Sequence, residues 1–286
     1  MLQVVSGHPP GLAQVWNAMS RLSMQPGSEG TRRGPATSDR GCSRPPARAT
    51  LLGKRMTKLT TVLDDRIWTL DRPVWFGGVR LRARTTVLRL DDGSLLLHSP
   101  APPSDALAEQ LRALGPVRIL IVPNCFHHLG TPASAALFPD ARVVGPASAR
   151  ARNKALKLDL DIGDARLNEV LPELETLPLA GVPFLDETVL YHRPTRTLLG
   201  ADVVISACSQ DHWTWRAAAR ITGCYERVRV PPDVRKTIAD RSVVARSVRA
   251  MLERPAERLI VGHADVIETG WRERLAEAWR VEGVEL

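Results

Sequence analysis

Three short apolar runs in this chain each lead to a side chain that can bind a metal ion. V-R-I-L-I-V leads into the loop that holds His127 and His128, T-R-T-L-L-G-A ends at Asp202, and R-L-I-V-G ends at His263. Such runs predict buried β-strands, and sites in α/β folds form outside the carboxyl ends of strands. The pattern predicts that three imidazoles and one carboxylate converge, which is a sufficient donor set for one catalytic divalent metal ion.

Composition narrows the class of protein. The chain has 286 residues and 44% apolar residues, enough for one large domain or two small ones. It has no run of about 18 apolar residues, so no transmembrane helix is predicted, and its N-terminus lacks the pattern of a secretory signal. Its four cysteines show no paired spacing. Reduced thiols and a cytoplasmic protein are therefore expected.

The positive charge is concentrated at the N-terminus. Residues 1–58 hold nine basic and two acidic side chains, a net charge of +7, so the remainder carries only +1 of the total +8. A nucleic-acid-binding fold would show a basic face on its folded part. The sequence therefore predicts neither nucleic acid nor membrane as a partner.

The N-terminal segment also differs from the rest in composition. Residues 1–55 are rich in Pro, Gly, Ser and Arg, which predicts a disordered extension followed by one domain over residues 56–286. The extension is either an organelle-targeting peptide or an upstream stretch before a biological start at Met56. A transit peptide should be amphipathic, and this segment is not after about residue 24, which favours the second interpretation.

From residue 59 the hydrophobic periodicity predicts alternating strands and helices. The first four strands form a meander with a hairpin turn at residues 91–93, and a later hairpin turns at Arg193-Pro194. A layered α/β (α+β) architecture is expected, a four-layer αββα sandwich. The predicted strands are 59–63, 66–70, 79–90, 94–98, 117–122, 141–144, 187–192, 197–204 and 258–262, and the predicted helices are 104–115, 132–138, 147–154, 239–253 and 268–281.

Each of the four candidate ligands also has a structural interpretation. His127 and His128 can hydrogen-bond to backbone in a loop, Asp202 can serve a turn or helix cap, and His263 can be a core imidazole. Asp202 lies in a run so apolar that an unpaired carboxylate there would be costly. Asp265 either orients His263 or caps the next helix.

Other polar residues near the apolar runs remain open. Cys125 is either a thiolate ligand or a small buried residue, His212 can line a pocket, and His98 is expected to be structural. Trp213 and Trp215 are interpreted as core or pocket wall. The arginine-rich stretch 216–249 either grips an anionic substrate or forms a solvated helix face.

At these residues the chain resembles the metallo-β-lactamase fold superfamily, over about residues 59–284. Three of its segments, P-N-C-F-H-H-L, L-L-H-S-P and R-T-L-L-G-A-D, resemble an uncharacterised family whose ligand loop reads P-N-x-x-H-H. The superfamily loop reads H-x-H-x-D-H. It places Pro123 and Cys125 at its first two histidines, and His127 and His128 at its Asp and last His.

The resemblance also implies roles for residues outside that loop. Asp202 matches the bridging carboxylate and His263 the late histidine, while an intermediate histidine would fall near Gly181 and Val182. One metal position therefore loses its own histidines, and the resemblance implies a mononuclear centre rather than a binuclear one.

These observations predict a mononuclear metal-dependent hydrolase that uses zinc or iron. Metal-bound water would attack an ester, amide, lactone or phosphoester, with Asp202 both ligating and catalytic. The partner would be a small molecule, anionic if the arginine-rich stretch contacts it. The alternative is a non-catalytic descendant of the fold that acts as a binding or structural module, which the loss of half the ligand set favours.

Overall fold

The computed structural model describes residues 58–286. The predicted disordered extension of residues 1–55 and the alternative start at Met56 lie outside the described residues. Within them, the predicted strands and helices occur in the predicted order, together with five elements that the sequence did not predict, and the strands build two β-sheets.

The first sheet has seven strands in chain order. Its first four strands are antiparallel, and the last four run parallel from β4 onward. The turn between β3 and β4 has Gly93 at φ 80°, and the Asp92 carboxylate accepts a hydrogen bond from Ser94 N at 2.8 Å. The strands are β1 Thr60–Leu63, β2 Ile67–Phe76, β3 Val79–Arg89, β4 Leu95–His98, β5 Val117–Ile121, β6 Arg142–Gly145 and β7 Leu160–Asp161.

The second sheet has four strands in the order β11-β10-β9-β8. Strands β8, β9 and β10 are antiparallel neighbours, whereas β10 and β11 run parallel. The carboxyl ends of β10 and β11 and the start of β9 therefore lie at one edge. The strands are β8 Leu174–Pro178, β9 Thr188–His192, β10 Thr197–Leu199 and β11 Arg258–Ile260.

Helices lie along the outer faces, and three of those described begin with a side-chain N-cap. The Ser104 hydroxyl accepts a hydrogen bond from Leu107 N at 3.2 Å, as predicted for the first helix. The Asp240 carboxylate caps α7 in the same way. The helices are α1 Asp105–Leu114, α2 Thr131–Leu137, α3 Ala147–Arg152, α4 Leu167–Val170, α5 Trp213–Thr222, α6 Pro232–Arg235, α7 Arg241–Leu252 and α8 Trp271–Arg280.

Three apolar clusters show how the layers stack. One cluster lies between the sheets and joins Ile119 of β5 to Leu190 of β9. A second packs the outer face of the first sheet on α1, through residues such as Leu111. A third packs the second sheet on α7 and α8, where Val244 and Trp279 are fully buried. The predicted four-layer αββα sandwich is confirmed.

Two strands end earlier than the sequence predicts, and both ends matter for the site. Strand β10 stops at Leu199 rather than at residue 204, and β11 stops at Ile260 rather than at residue 262. The backbone N–H groups of Ala201, Asp202 and Val203 donate to the Glu187 carboxylate instead of to a neighbouring strand. The predicted ligands Asp202 and His263 consequently lie in bends beyond the sheet.

Strands β7 and β8, helix α5 and the short helices α4 and α6 were not among the predicted elements. Pro231-Pro232 at the start of α6 leaves too short a stretch for helical periodicity to show. None of the helices in residues 58–286 is long and apolar enough to traverse a bilayer.

Candidate metal centre

Three strand ends bring His127, Asp202 and His263 together. Their ligand atoms all lie within 4.8 Å of one another. The Nε2 atom of His127 is 3.1 Å from Asp202 Oδ2, and the Nε2 atom of His263 is 3.3 Å from Asp202 Oδ1. We refer to these three residues as the His–Asp–His cluster.

The fold also determines which nitrogen each imidazole presents to the cluster. The Nδ1 atom of His263 is 2.5 Å from the backbone oxygen of Arg82, which can only accept, so Nδ1 carries the hydrogen. The Nδ1 atom of His127 is 2.6 Å from the Ser99 hydroxyl, which can donate or accept. Both Nε2 atoms are thereby directed at Asp202.

Backbone geometry at two positions allows this approach. Ser99 has a φ of 57°, in the left-handed region, as the chain turns out of β4 towards Pro100. Gly262 leaves room beside His127, because a Cβ there would lie 2.8 Å from His127 Cε1 and 3.0 Å from the Ala201 oxygen. The small residue before His263 is therefore required by the position of the other imidazole.

The cluster is electrostatically coupled. Burial alone would raise the pKa of Asp202, but the charges and hydrogen bonds of His127 and His263 outweigh it and hold that pKa well below its usual range. Burial alone would lower the pKa of His263, but the Asp202 carboxylate outweighs it and raises that pKa. A carboxylate that stays ionised and two aligned imidazoles are what a divalent cation needs.

The donor chemistry and spacing fit one metal ion. Bonds of about 2.0–2.2 Å to a common point require donors several ångströms apart around it, and these donors satisfy that condition. Two histidines and one carboxylate are used by zinc hydrolases and also by non-haem iron(II) sites. Side-chain exposures of 7%, 15% and 11% for His127, Asp202 and His263 leave a narrow opening to solvent.

The structure brings together three of the four predicted ligands, and the exception is His128. His128 does not belong to the cluster, and its Nδ1 atom lies 3.3 Å from the Asn153 amide nitrogen. Consecutive loop residues point in different directions, so His127 and His128 do not reach the same point. Burial and the positive charge of Arg152 lower the pKa of His128.

Of the two interpretations of Cys125, the structure supports the small buried residue and not the thiolate ligand, because its thiol donates to the Phe184 oxygen at 3.2 Å. Burial raises the pKa of that thiol to about 11, so it stays protonated near neutral pH. Asp265 neither orients His263 directly nor caps a helix; it pairs with Arg82 at 2.6 Å. His212 instead caps α5 and accepts from Thr214 N.

His98 is buried, with 2% of its surface exposed, as expected for a structural residue. Its Nε2 atom has no hydrogen-bond partner among residues 58–286, and burial, with the charge of His127, lowers its pKa to about 3.

Trp215 is buried in the core, whereas Trp213 is 68% exposed. Within the arginine-rich stretch, Arg229 pairs with Glu277 and Arg235 with Glu282.

Sequence reasoning missed three residues around the cluster. Asn124 donates to Asp202 Oδ2 at 2.8 Å, and Glu187 holds the backbone of the Asp202 bend. Burial raises the pKa of Asp233 in α6, and the negative charge of Asp202 raises it further. Asn124 was visible in the P-N-x-x-H-H motif, whereas Glu187 and Asp233 carried no signal beyond an acidic residue at the start of an element.

Comparisons with known proteins agree on the fold. The metallo-β-lactamase from Pontibacter korlensis superimposes with a TM-score of 0.54 at 13% identity, covering 80% of this chain and 99% of that one. The metallo-β-lactamase FIM-1 from Pseudomonas aeruginosa in its mono-zinc form superimposes with a TM-score of 0.56 at 13% identity, covering 81% of this chain and 99% of that one. The metallo-β-lactamase from Hirschia baltica superimposes with a TM-score of 0.54 at 12% identity, covering 79% of this chain and 97% of that one. The chain therefore has the metallo-β-lactamase fold.

Sequence comparison adds one local match. A family model described as "Domain of unknown function (DUF4336)" matches residues 64–148, from the β-meander through the loop of His127 to the start of α3. No curated protein sequence matches the chain. The chain is thus a metallo-β-lactamase-fold protein with a candidate His–Asp–His metal site, and its narrower resemblance to a P-N-x-x-H-H family stays a prediction.

Proposed function

We propose that this protein is a hydrolase that depends on one divalent metal ion, zinc or iron, held by His127, Asp202 and His263. The convergence of these three donors within 4.8 Å supports the proposal. A metal ion in such a site supplies an acidified water and polarises an acyl or phosphoryl oxygen. The substrate class is an ester, amide, lactone or phosphoester of a small molecule.

The chain's own residues have separate tasks in this proposal. The Arg82 oxygen and the Ser99 hydroxyl orient the two imidazoles. Asp202 stays ionised at neutral pH and neutralises positive charge in a site that is largely closed to solvent. A cytoplasmic location is part of the proposal because Cys125, Cys208 and Cys224 are free thiols.

The rival proposal is a non-catalytic module with the same fold. It is favoured by Cys125, whose protonated thiol occupies one of the positions where the superfamily loop has histidine. A relic of this kind would keep the hydrogen bonds of the cluster without binding a metal ion.

Elemental analysis of the purified protein separates the two. We expect about one metal ion per chain, and hydrolysis of a generic ester or phosphoester that Asp202→Ala abolishes while the melting temperature shows the variant folded. Two metal ions per chain would contradict the mononuclear centre. No metal, together with unchanged stability of His263→Ala, would favour the non-catalytic module.

A further inference from the structure

Glu187 is a buried carboxylate behind the His–Asp–His cluster. Only 2% of its surface is exposed. Its Oε1 atom accepts hydrogen bonds from Ala201 N at 2.8 Å and Val203 N at 3.2 Å. Its Oε2 atom accepts from Asp202 N at 2.8 Å and from the Asn124 amide at 3.0 Å. Both oxygens are fully engaged by donors, so Glu187 acts on the bend and is not itself a free ligand.

Asn124 connects this bend to the loop that carries His127. Its side chain is fully buried, and its oxygen accepts from Phe126 N at 2.8 Å and His127 N at 3.0 Å. Because backbone N–H groups can only donate, these bonds fix which end of the amide is the oxygen. The nitrogen then donates both to Glu187 and to Asp202 Oδ2, the latter at 2.8 Å.

One amide and one carboxylate therefore link two ligand-bearing segments that are far apart in sequence. Burying an ionised carboxylate costs several kcal/mol unless hydrogen bonds compensate it. Here four donors offset part of that cost, and three of them belong to the bend of Asp202. The bend wraps closely around Glu187, since a Cβ on Gly200 would lie 3.2 Å from Oε1 and 2.8 Å from Val203 Cγ1.

We infer that Glu187 and Asn124 are positioning residues that set the distance and orientation of Asp202 relative to His127, and so determine metal affinity. This inference rests on the proposed function. It explains the Asn of the P-N-x-x-H-H motif by its four hydrogen bonds. It also explains how a site with few ligands keeps its geometry. Glu187 and Asn124 form a hydrogen-bonded frame behind the donors, and this frame supplies the rigidity.

Two nearly isosteric substitutions test the frame. In Glu187→Gln an –NH2 group replaces one oxygen and faces two donors whichever way it is placed, so at least two hydrogen bonds are lost. In Asn124→Asp a third carboxylate faces Glu187 and Asp202. The matched control is Glu173→Gln at the opposite end of β9, where Glu173 Oε2 lies 3.1 Å from His192 Nε2.

The first readout is binding of cobalt(II), followed by titration and by the absorption spectrum of the bound ion. We expect Glu187→Gln and Asn124→Asp to weaken binding 10–100-fold, as changes behind a metal ligand typically do, and to alter the spectrum. Glu173→Gln should leave both unchanged at a similar loss of melting temperature. Wild-type affinity and spectrum in both site variants would overturn the inference.

The second readout needs no metal ion, so it separates this inference from the proposed function. Hydrogen exchange in metal-free protein should accelerate in Glu187→Gln at the amides of residues 201–203, and not across β8 to β10 as a whole. If wild type binds no cobalt(II), the proposed function fails. Localised exchange would then still support the frame, whereas unchanged or uniformly faster exchange would overturn it.

Discussion

Two histidine–carboxylate groups lie at opposite ends of strand β9, and they differ in what their donor atoms do. We refer to His192, Glu173 and Thr195 as the His192 cluster. Its imidazole is fully buried, with Nδ1 2.7 Å from the Thr195 hydroxyl and Nε2 3.1 Å from Glu173. Only one imidazole is present, and both of its nitrogens have fixed partners.

The His–Asp–His cluster instead directs two imidazoles at one carboxylate. Burial dominates at His192 and lowers its pKa, whereas at His263 the Asp202 carboxylate outweighs burial and raises it. A buried histidine–carboxylate pair is thus not in itself a metal site. What distinguishes a site is the convergence of several donors whose other atoms are already held by the protein.

The largest expected difference is in metal affinity. His263→Ala removes one of the three donors, so cobalt(II) or zinc affinity should fall at least 100-fold, beyond the 10–100-fold typical of changes behind a ligand. His192→Ala should leave affinity unchanged but lower the free energy of unfolding by about 1–3 kcal/mol, because it leaves buried partners unpaired. Isothermal titration and denaturant unfolding measure both. Equal loss of affinity in the two variants would remove the distinction.

Gly262→Ala should perturb the His–Asp–His cluster through space alone. Its Cβ would lie 2.8 Å from His127 Cε1, and overpacking of this kind costs about 1–3 kcal/mol. We expect a matching loss of stability together with weaker metal binding. Gly163→Ala is the control, because its nearest neighbour is a flexible Asp161 carboxylate at 3.3 Å. Unaltered metal binding in Gly262→Ala would mean that His127 tolerates displacement.

Acid sensitivity should depend on His98, a buried imidazole that lacks the carboxylate partner of His127, His192 and His263. Its pKa of about 3 keeps it neutral in the fold, while the unfolded side chain takes up a proton below about pH 6.5. The stability present above about pH 6.5 is therefore lost as the pH falls. Linkage between protonation and folding predicts that the free energy of unfolding falls by about 2 kcal/mol between pH 7 and pH 5.

His98→Leu should remove that part of the pH dependence. Denaturant unfolding of chelator-treated wild type and variant at the two pH values provides the measurement. The same acid-induced loss in both proteins would show that His98 is not the group responsible.

The smallest expected effect is at His128. His128→Asn should leave metal stoichiometry and affinity unchanged, because His128 lies beside Asn153 and outside the cluster. His127→Asn, one residue away, should lose the metal. Loss of metal in His128→Asn measured by elemental analysis would restore the four-ligand prediction from the sequence.

The sequence indicated which strand ends approach each other but not which way neighbouring side chains point. His127, Asp202 and His263 follow apolar runs; the parallel neighbours β10 and β11 place Asp202 and His263 side by side, whereas His127 follows β5 of the other sheet. The separation of His127 from His128 depends on loop torsions that Asn124 fixes through two backbone hydrogen bonds. Periodicity carries no information about such torsions.

The partners of the ligands were harder to predict. Ser99 lies in the L-L-H-S-P segment, but its position against His127 depends on a left-handed φ of 57° that is uncommon for serine. The Arg82 oxygen is backbone, so no residue type signals it. In the sequence, Glu187 looks like any acidic residue before a strand. Its role is visible only in the structure, where the backbone of residues 201–203 folds back and donates to its carboxylate.

The two imidazoles differ in how readily each can change the nitrogen that carries its hydrogen. The Arg82 oxygen has no hydrogen to give, so Nδ1 of His263 keeps its hydrogen, and Nε2, once free of any proton shared with Asp202, is the nitrogen that would hold a metal ion. His127 faces the Ser99 hydroxyl, whose hydrogen can rotate. In one neutral tautomer of His127 the Ser99 hydroxyl donates to Nδ1 and the hydrogen is on Nε2; in the other, Nδ1 carries the hydrogen and donates to Ser99, which leaves Nε2 free to hold a metal ion. His263 thus has one neutral tautomer that fits this fold, whereas His127 has two and would have to adopt the one with its hydrogen on Nδ1 to hold a metal ion.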